Sequence, residues 1–556
     1  MAVLTLIRNL NNSTFDTGGY LDMEQQPSIM AEPREVVERS FNINKKLGPR
    51  LIEAAKQDAI LRIGWTSAGD PVPKNGELGL CPNLPAGSRM RALGILGSWV
   101  AAFGSGGRFT IQGDVGSFLG AGNRGNIIVC EQLAGNYTGY AMRSGEISVL
   151  DGVGDDAGAM MSGGLLMIRG SVGDRVGGGM KDGIIVIHGD VGRNPGAGMT
   201  GGKIIINGRY PSRLPSGVEQ RLLTAAEVKS INSQLGNEDM EIPKDAACLV
   251  PSERLYIEQT EIPVSSSDLS SIGLVAGDLH HTAPYQTCDI AVLIPEKSEE
   301  KDPLAFPLPL LPVISSGELL HPANQEEFDV AQILAKQPFI TREQPRRIDL
   351  SLIDTSNLAD APELLENSSG MVVDLDDLPA MNSEEIDGFI VATRTLLGMK
   401  KPISFLNSIS RVESLHVRSS HHEIDLAISR IEDGSGIAEA AALPMIGRST
   451  KSHLSGSATQ TGILLGLSAS GQDLAILRAS GIEMICCEVP MQDPQDLAHW
   501  LQSVGDELTA ILRRLGLDSI EQLQRQHLRA LDYETASISG LRLVGYDRPL
   551  PHWFAR

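Results

Sequence analysis

Cysteine, histidine and glycine are the residues of this chain whose spacing could hold a metal, a cluster or a nucleotide. The six cysteines are Cys81, Cys130, Cys248, Cys288, Cys486 and Cys487. Zinc sites and disulfide frameworks use recurring short spacings such as C-x-x-C, and none occurs here. Cys486 and Cys487 are adjacent, and adjacent side chains on a strand point to opposite faces. The pairs His280-His281 (with Cys288 nearby) and His421-His422 diverge in the same way, so no metal site is expected. Many Gly-x-Gly sequences are present, but no GxGxxG follows a strand within a βαβ unit, which a nicotinamide nucleotide site would require.

The elements that must carry any chemistry belong to a long chain. At 556 residues it exceeds what one core supports and predicts several domains. Hydrophobic residues make up 42% and charged residues 21%, ordinary for a folded protein. Aromatics are only 4% and glycines number 59, which points to architecture in which backbones approach closely. A net charge of −22 disfavours nucleic acid and anionic membranes as partners. No apolar run is long enough to span a membrane, and the N-terminus lacks the basic region of a signal peptide. Unpaired cysteines fit a reducing compartment, so a cytoplasmic location is expected.

The glycines are periodic. Gly116, Gly135, Gly154, Gly173 and Gly192 are evenly spaced, and Gly120, Gly139, Gly158, Gly177 and Gly196 keep the same 19-residue interval. So do Gly145, Gly164, Gly183 and Gly202, the set Gly170, Gly189 and Gly208, and the methionines Met142, Met161, Met180 and Met199. Between them, Ile128, Ile147, Leu166, Ile185 and Ile204 form one apolar column, and Cys130, Val149, Ile168, Ile187 and Ile206 form another two residues on. A spacing of two puts both columns on one strand face. The pattern predicts a parallel, right-handed β-helix of stacked coils, with glycines at the corners and methionines as interior filling. The segment Arg213 to Gly236 reads as a helix closing the end of the stack.

Beyond the repeat, a Pro-rich stretch from Asp302 to Pro312 reads as a linker or extended arm. After it, apolar runs at Met371–Leu375, Ile403–Leu406, Ala427–Ile431, Ile463–Leu467 and Met484–Val489 alternate with helical segments. Such spacing fits βα units and an α/β, partial TIM-barrel-like domain. The domain reading is a lead-in over 1–100, the β-helix with its capping helix over 101–236, a connecting region over 237–345, and the α/β domain over 346–556.

The repeat resembles the GXGXG domain of the glutamate synthase large subunit, a domain that formylmethanofuran dehydrogenase also contains. The second half resembles, in degenerate form, the FMN-binding barrel of glutamate synthase. The loop IEDGSGIA (Ile431–Ala438) is similar to that family's flavin-side loop, and LSASGQDLAILRASGIEMI (Leu467–Ile485) to its phosphate-holding strand, loop and helix. By this resemblance Gly434, Ser435, Gly436, Ser470, Gly471 and Asp473 are the residues that would hold FMN, with Ser468 beside them. Glu432 is the candidate general acid or base. The plain alternatives are a simple turn and a surface carboxylate.

Three of the family's requirements are missing from this sequence. Cys486 and Cys487 alone cannot ligate an iron–sulfur cluster, so no cluster is expected. The strand PISFL (Pro402–Leu406) has no lysine, although Lys400 and Lys401 precede it. Residue 2 is alanine, so there is no N-terminal cysteine for glutaminase chemistry. The resemblance therefore implies a largely non-catalytic scaffold subunit of an oligomeric complex handling amide or amine nitrogen, partnered by amidotransferase-like chains. One rival is an FMN-dependent synthase of glutamate or an N-substituted glutamate. A second is a scaffold of a formyl-transferring one-carbon complex.

Overall fold

The computed structural model describes residues 33–64, 76–235, 241–252, 268–275, 306–320, 328–432, 434–466 and 468–546. His280, His281, Cys288, Asp433 and Leu467 lie outside the described residues, as does the charged run before the Pro-rich stretch. Among the described residues no helix is long and apolar enough to cross a membrane.

Helix α1 (Pro33–Lys56) leads into a ten-stranded sheet. Strands β1 (Ile60–Ile63), β2 (Arg89–Leu93), β3 (Arg108–Gln112), β4 (Arg124–Cys130), β5 (Ser144–Val149), β6 (Ser162–Ile168), β7 (Asp182–Ile187) and β8 (Lys203–Ile206) are parallel and follow chain order. Strands β9 (Val218–Leu222) and β10 (Ala247–Pro251) close the sheet antiparallel, β10 lying against β8. The predicted columns are the observed register: Phe109 pairs with Ile128, Ile128 with Ile147, Ile147 with Leu166, Leu166 with Ile185 and Ile185 with Ile204. A second line of parallel bridges joins Leu96, Val115, Ala134, Val153, Val172 and Val191, one per repeat unit. Both apolar columns and the four repeating methionines are buried in one core.

The repeat begins earlier than the glycine columns suggested. Glu77 already bridges to Leu96, and Gly94 and Gly97 stand in register with Gly113 and Gly116. The helix expected to close the end does something else. Helix α2 (Ala225–Leu235) lies on the outer sheet face, where Val228, Ile231 and Leu235 pack on Leu165, Met167, Val186 and Ile205. Beyond β8 the sheet continues antiparallel through β10 to β9, so the edge of β8 is covered by β10.

Backbone proximity explains the glycines. A Cβ on Gly208 would fall 2.0 Å from the Gly189 carbonyl oxygen, and one on Gly189 would fall 2.4 Å from Gly170. Beside them a ladder of short polar side chains ties units together. Asn136 Oδ1 accepts from Asp155 N (2.8 Å), Asp155 Oδ1 from Asp174 N (2.8 Å), and Asp174 Oδ1 from Arg193 N (2.7 Å).

The second half is a closed barrel of eight parallel strands. It is preceded by β11 (Ile272–Leu274) and comprises β12 (Leu310–Ile314), β13 (Ile340–Thr341), β14 (Leu350–Ile353), β15 (Gly370–Asp374), β16 (Ile403–Ser408), β17 (Leu426–Arg430), β18 (Gln460–Leu465) and β19 (Met484–Glu488). The two-stranded sheet of β11 and β20 (Leu528–Ala530) is not hydrogen-bonded to the barrel but packs into the same core, with Ile272, Leu528 and Ala530 buried. The outer helices are α3 (Phe328–Lys336), α4 (Ala361–Asn367), α5 (Ser383–Leu397), α6 (Val412–His421), α7 (Glu439–Ser449), α8 (Gly471–Ala479) and α9 (Pro494–Leu515), and α10 (Tyr533–Ser539) ends the described fold. β12 and β13 fall in the stretch 237–345 that composition suggests is a connection. Pro312 sits inside β12 opposite Cys487, so the Pro-rich segment enters the barrel instead of leading to it.

Repeat and barrel are joined by an aromatic column. Trp99, Phe118 and Tyr137 occupy one corner of successive units and stack with centroids 4.4 and 4.8 Å apart. Phe389 of α5 meets Trp99 edge-on at 4.9 Å. Around this core Tyr140 bonds Thr355 (2.7 Å), Arg143 holds Asp360 (2.6 Å), and Arg124 holds Glu363 (2.5 Å). Burial pushes the Tyr137 phenol up to about 12, an effect reinforced by Asp156.

Two outcomes follow from this packing. Phe389→Ala should destabilise the chain by about 3–5 kcal/mol in denaturant unfolding, because it opens a cavity beside Trp99. His416, wholly buried on α6, has its pKa pushed from 6.5 down to about 4 by burial, with His453 adding to the effect. Between those values the unfolded chain binds a proton that the folded chain refuses, so stability should fall as pH drops through that window, by roughly 3 kcal/mol. In His416→Gln this part of the pH slope should vanish from the unfolding curves.

Candidate functional site

The carboxyl-terminal ends of barrel strands are where TIM-barrel sites are built. Here the interior below that end is filled by Leu311, Leu352, Val372, Leu406, Ile428, Leu464 and other buried apolar side chains. Charged residues close it above. Arg430, the last residue of β17, pairs with Asp374 at the end of β15 and with Asp376 (3.2 Å). Ser408 Oγ donates to Asp376 at 2.7 Å, and Arg342 pairs with Asp354 at 2.9 Å. Burial alone would lower the Arg430 pKa, but the Asp374 hydrogen bond and the nearby carboxylates outweigh it and hold the pKa above the usual value. The void lined by Arg342, Arg430, Cys486 and Glu488 measures about 10 Å³, room for one water at most.

The residues singled out in sequence lie at the neighbouring loops after β17 and β18. Glu432 is exposed, and its carboxylate covers Gly466, where a Cβ would fall 2.0 Å from Glu432 Cδ. Gly434 and Ser435 are exposed and Gly436 half-buried, and both glycines have left-handed backbone. Ser470 is the N-cap of α8. Its hydroxyl accepts from Asp473 N (3.2 Å), while the Asp473 carboxylate accepts from Ser470 N (2.8 Å), a reciprocal capping box.

Gly471 is buried against α9. A Cβ there would lie 2.5 Å from Leu508 N and 2.7 Å from Val504 O. Its amide donates to Glu507 Oε2 at 2.8 Å. The amides that a phosphate would use at this helix start therefore already hold two carboxylates, and an incoming anion would meet both charges. Glu439 adds to this. Burial raises its pKa, and Asp473, Asp268 and Glu432 act in the same direction, against the hydrogen bond from Leu269 N. Sequence reasoning missed Glu507 and Glu439. The S-x-x-D spacing of Ser470 and Asp473 was visible, but nothing near it in the chain announces Glu507.

The remaining candidates are dispersed. Cys486 faces the barrel interior and Cys487 the helical layer, as adjacency requires, and burial pushes the Cys487 thiol up to about 12. Lys401 precedes β16, at the opposite end of the barrel, and donates to Ser368 O at 2.6 Å. His422 bonds Asp387 (2.7 Å), and His421 meets it edge-on. Among the described residues no cluster of His, Cys, Asp or Glu could hold a metal ion. Ser470→Ala removes the cap hydroxyl and should lower stability by about 1 kcal/mol in urea unfolding.

Residues 84–240 match the family model described as GXGXG motif. No curated protein matches the chain. Among solved structures, a flavocytochrome b2 variant with sulfite bound is 13% identical, with 48% of this chain and 77% of that chain covered and a TM-score of 0.34. The flavin-binding domain of baker's yeast flavocytochrome b2 gives 13% identity, the same coverage and a TM-score of 0.32. The monotopic membrane protein (S)-mandelate dehydrogenase gives 11% identity, 47% and 89% coverage, and a TM-score of 0.28. The part of this chain that a family model identifies is thus its repeat, residues 84–240, which carry the GXGXG motif.

Proposed function

We propose that this chain is a glutamate synthase-related scaffold, in which a GXGXG β-helix and a catalytically silent barrel hold partner subunits in place. The GXGXG match over 84–240 supports the relationship, and the even register of the stacked units supports the β-helix reading. One observation carries the silent barrel: the place where a flavin phosphate would bind is filled from within. Glu507 occupies the Gly471 amide and Asp473 the Ser470 amide, while the mouth keeps a void of about 10 Å³. A flavin mononucleotide does not fit these residues, and the neighbouring loop brings a further carboxylate at Glu432.

A cleft of about 680 Å³ runs between repeat and barrel, lined in part by Arg143, Arg342, Ser356 and Asp360. Its two arginines are already paired, with Asp360 and Asp354, so it presents no uncompensated cation to an anionic substrate. On this reading glutamate chemistry belongs to partner chains, and the barrel serves to anchor the repeat.

The visible absorbance spectrum of the purified chain, taken before and after addition of FMN, tests the proposal. A colourless protein that stays colourless after desalting is the expected result. A flavin band at one equivalent would overturn it in favour of an FMN-dependent oxidoreductase.

A further inference from the structure

One face of the repeat is covered over only part of its length. The corner occupied by Trp99, Phe118 and Tyr137 recurs at Asp156, Arg175 and Asn194, all with left-handed backbone (φ 62, 62, 55, 57, 56 and 56°). In the first units this face is buried under α4, α5 and the turn before α4, and the cluster extends as far as Ala159 and Met160. Two more units continue the face past the edge of the barrel. There Gly178, Gly179 and Ala197 are partly exposed, and Gly198 is exposed.

The charges continue with it. Arg124 and Arg143 occupy equivalent positions in successive units and hold Glu363 of α4 and Asp360 just before it. Lys181 has that position two units beyond Arg143. It is exposed and makes no ion pair among the described residues. Of the six Lys or Arg from Arg169 to Arg209, four are already paired, Arg175 with Asp156, Arg193 with Asp174, Lys203 with Glu227 and Arg209 with Asp190, so Lys181 is the cation this face offers at its rim. A flat strip of glycine and alanine lets a helix backbone come close, and a cation at its rim selects a carboxylate.

We propose that the stretch Arg175 to Gly198 is the docking surface for a different protein chain, one presenting a helix edged with carboxylates, as α4 and α5 do on the earlier units. A second copy fits less well, because its own α4 and α5 are already engaged by its own repeat. The proposal rests on the scaffold reading above.

The photo-cross-linking amino acid p-benzoylphenylalanine, placed at Ala197 in the full chain and irradiated in cells, tests it. The expected product joins the chain to one partner, whose cross-linked peptide, identified by mass spectrometry, lies on a helix bearing Asp or Glu. Lys181→Glu should cut the yield by about tenfold, and exchanging a carboxylate of that helix for lysine should restore it. Unfolding of Lys181→Glu at the wild-type temperature shows that the fold is intact. A cross-link to a second copy, no discrete product, or a yield indifferent to Lys181→Glu would overturn the proposal. The native mass of the chain in cell extract separates the two readings. A complex that survives Lys181→Glu keeps the scaffold and removes this face, whereas a chain that runs as a monomer removes the scaffold itself.

Discussion

The constraint on which this protein depends is the closeness with which one repeat unit lies on the next. Where Gly208 passes Gly189, and Gly189 passes Gly170, no Cβ has room. That contact fixes the pitch, and the fixed pitch aligns everything else. It brings Ile147 over Ile128, seats each Asx oxygen on the amide of the following unit, and superposes the aromatic rings at stacking distance. Each isoleucine buried in such a column contributes roughly 1.5–3 kcal/mol, so the stack is held by many equal terms and not by one dense centre.

Because the pitch is fixed, a corner can become an instrument of attachment. L-residues other than glycine resist left-handed backbone, at about 1–2 kcal/mol each, yet Trp99, Phe118 and Tyr137 all adopt it. Their mutual stacking and the edge of Phe389 offset that strain. The barrel is thus seated on the repeat by apolar contact at the centre and by Arg–carboxylate pairs at the rim. The same barrel has its own mouth closed by Arg430 with Asp374 and Asp376. At that mouth the charged side chains are engaged with one another.

The repeat was legible because its signal is additive: several residue columns at one interval cannot arise by chance composition. The later barrel strands were legible too, since fully buried parallel strands read as short apolar runs, and β15 to β19 coincide with those runs. β12 was hidden by Pro312, a residue that argues against a central strand, and β13 by having only two residues. At the candidate site the residues were legible and their tertiary partners were not. Ser470, Gly471 and Asp473 do open a helix beside the barrel mouth, but whether its amides face a ligand or a side chain is decided by Glu507, far along the chain. Local sequence shows a helix start, and only tertiary packing shows what caps it.

The aromatic column also makes the repeat array asymmetric as a length. Units between Trp99 and Met160 cannot be inserted or lost singly, since each would displace the rings and arginines from α4 and α5 by a full rung. Beyond Met160 the apolar cluster shared with these helices ends among the described residues, so whole units could be added or removed there while the barrel stayed seated. The array is in effect a ruler with one clamped end and one free end. Its reach can change only in steps of a single rung, and only at the end covered by β10.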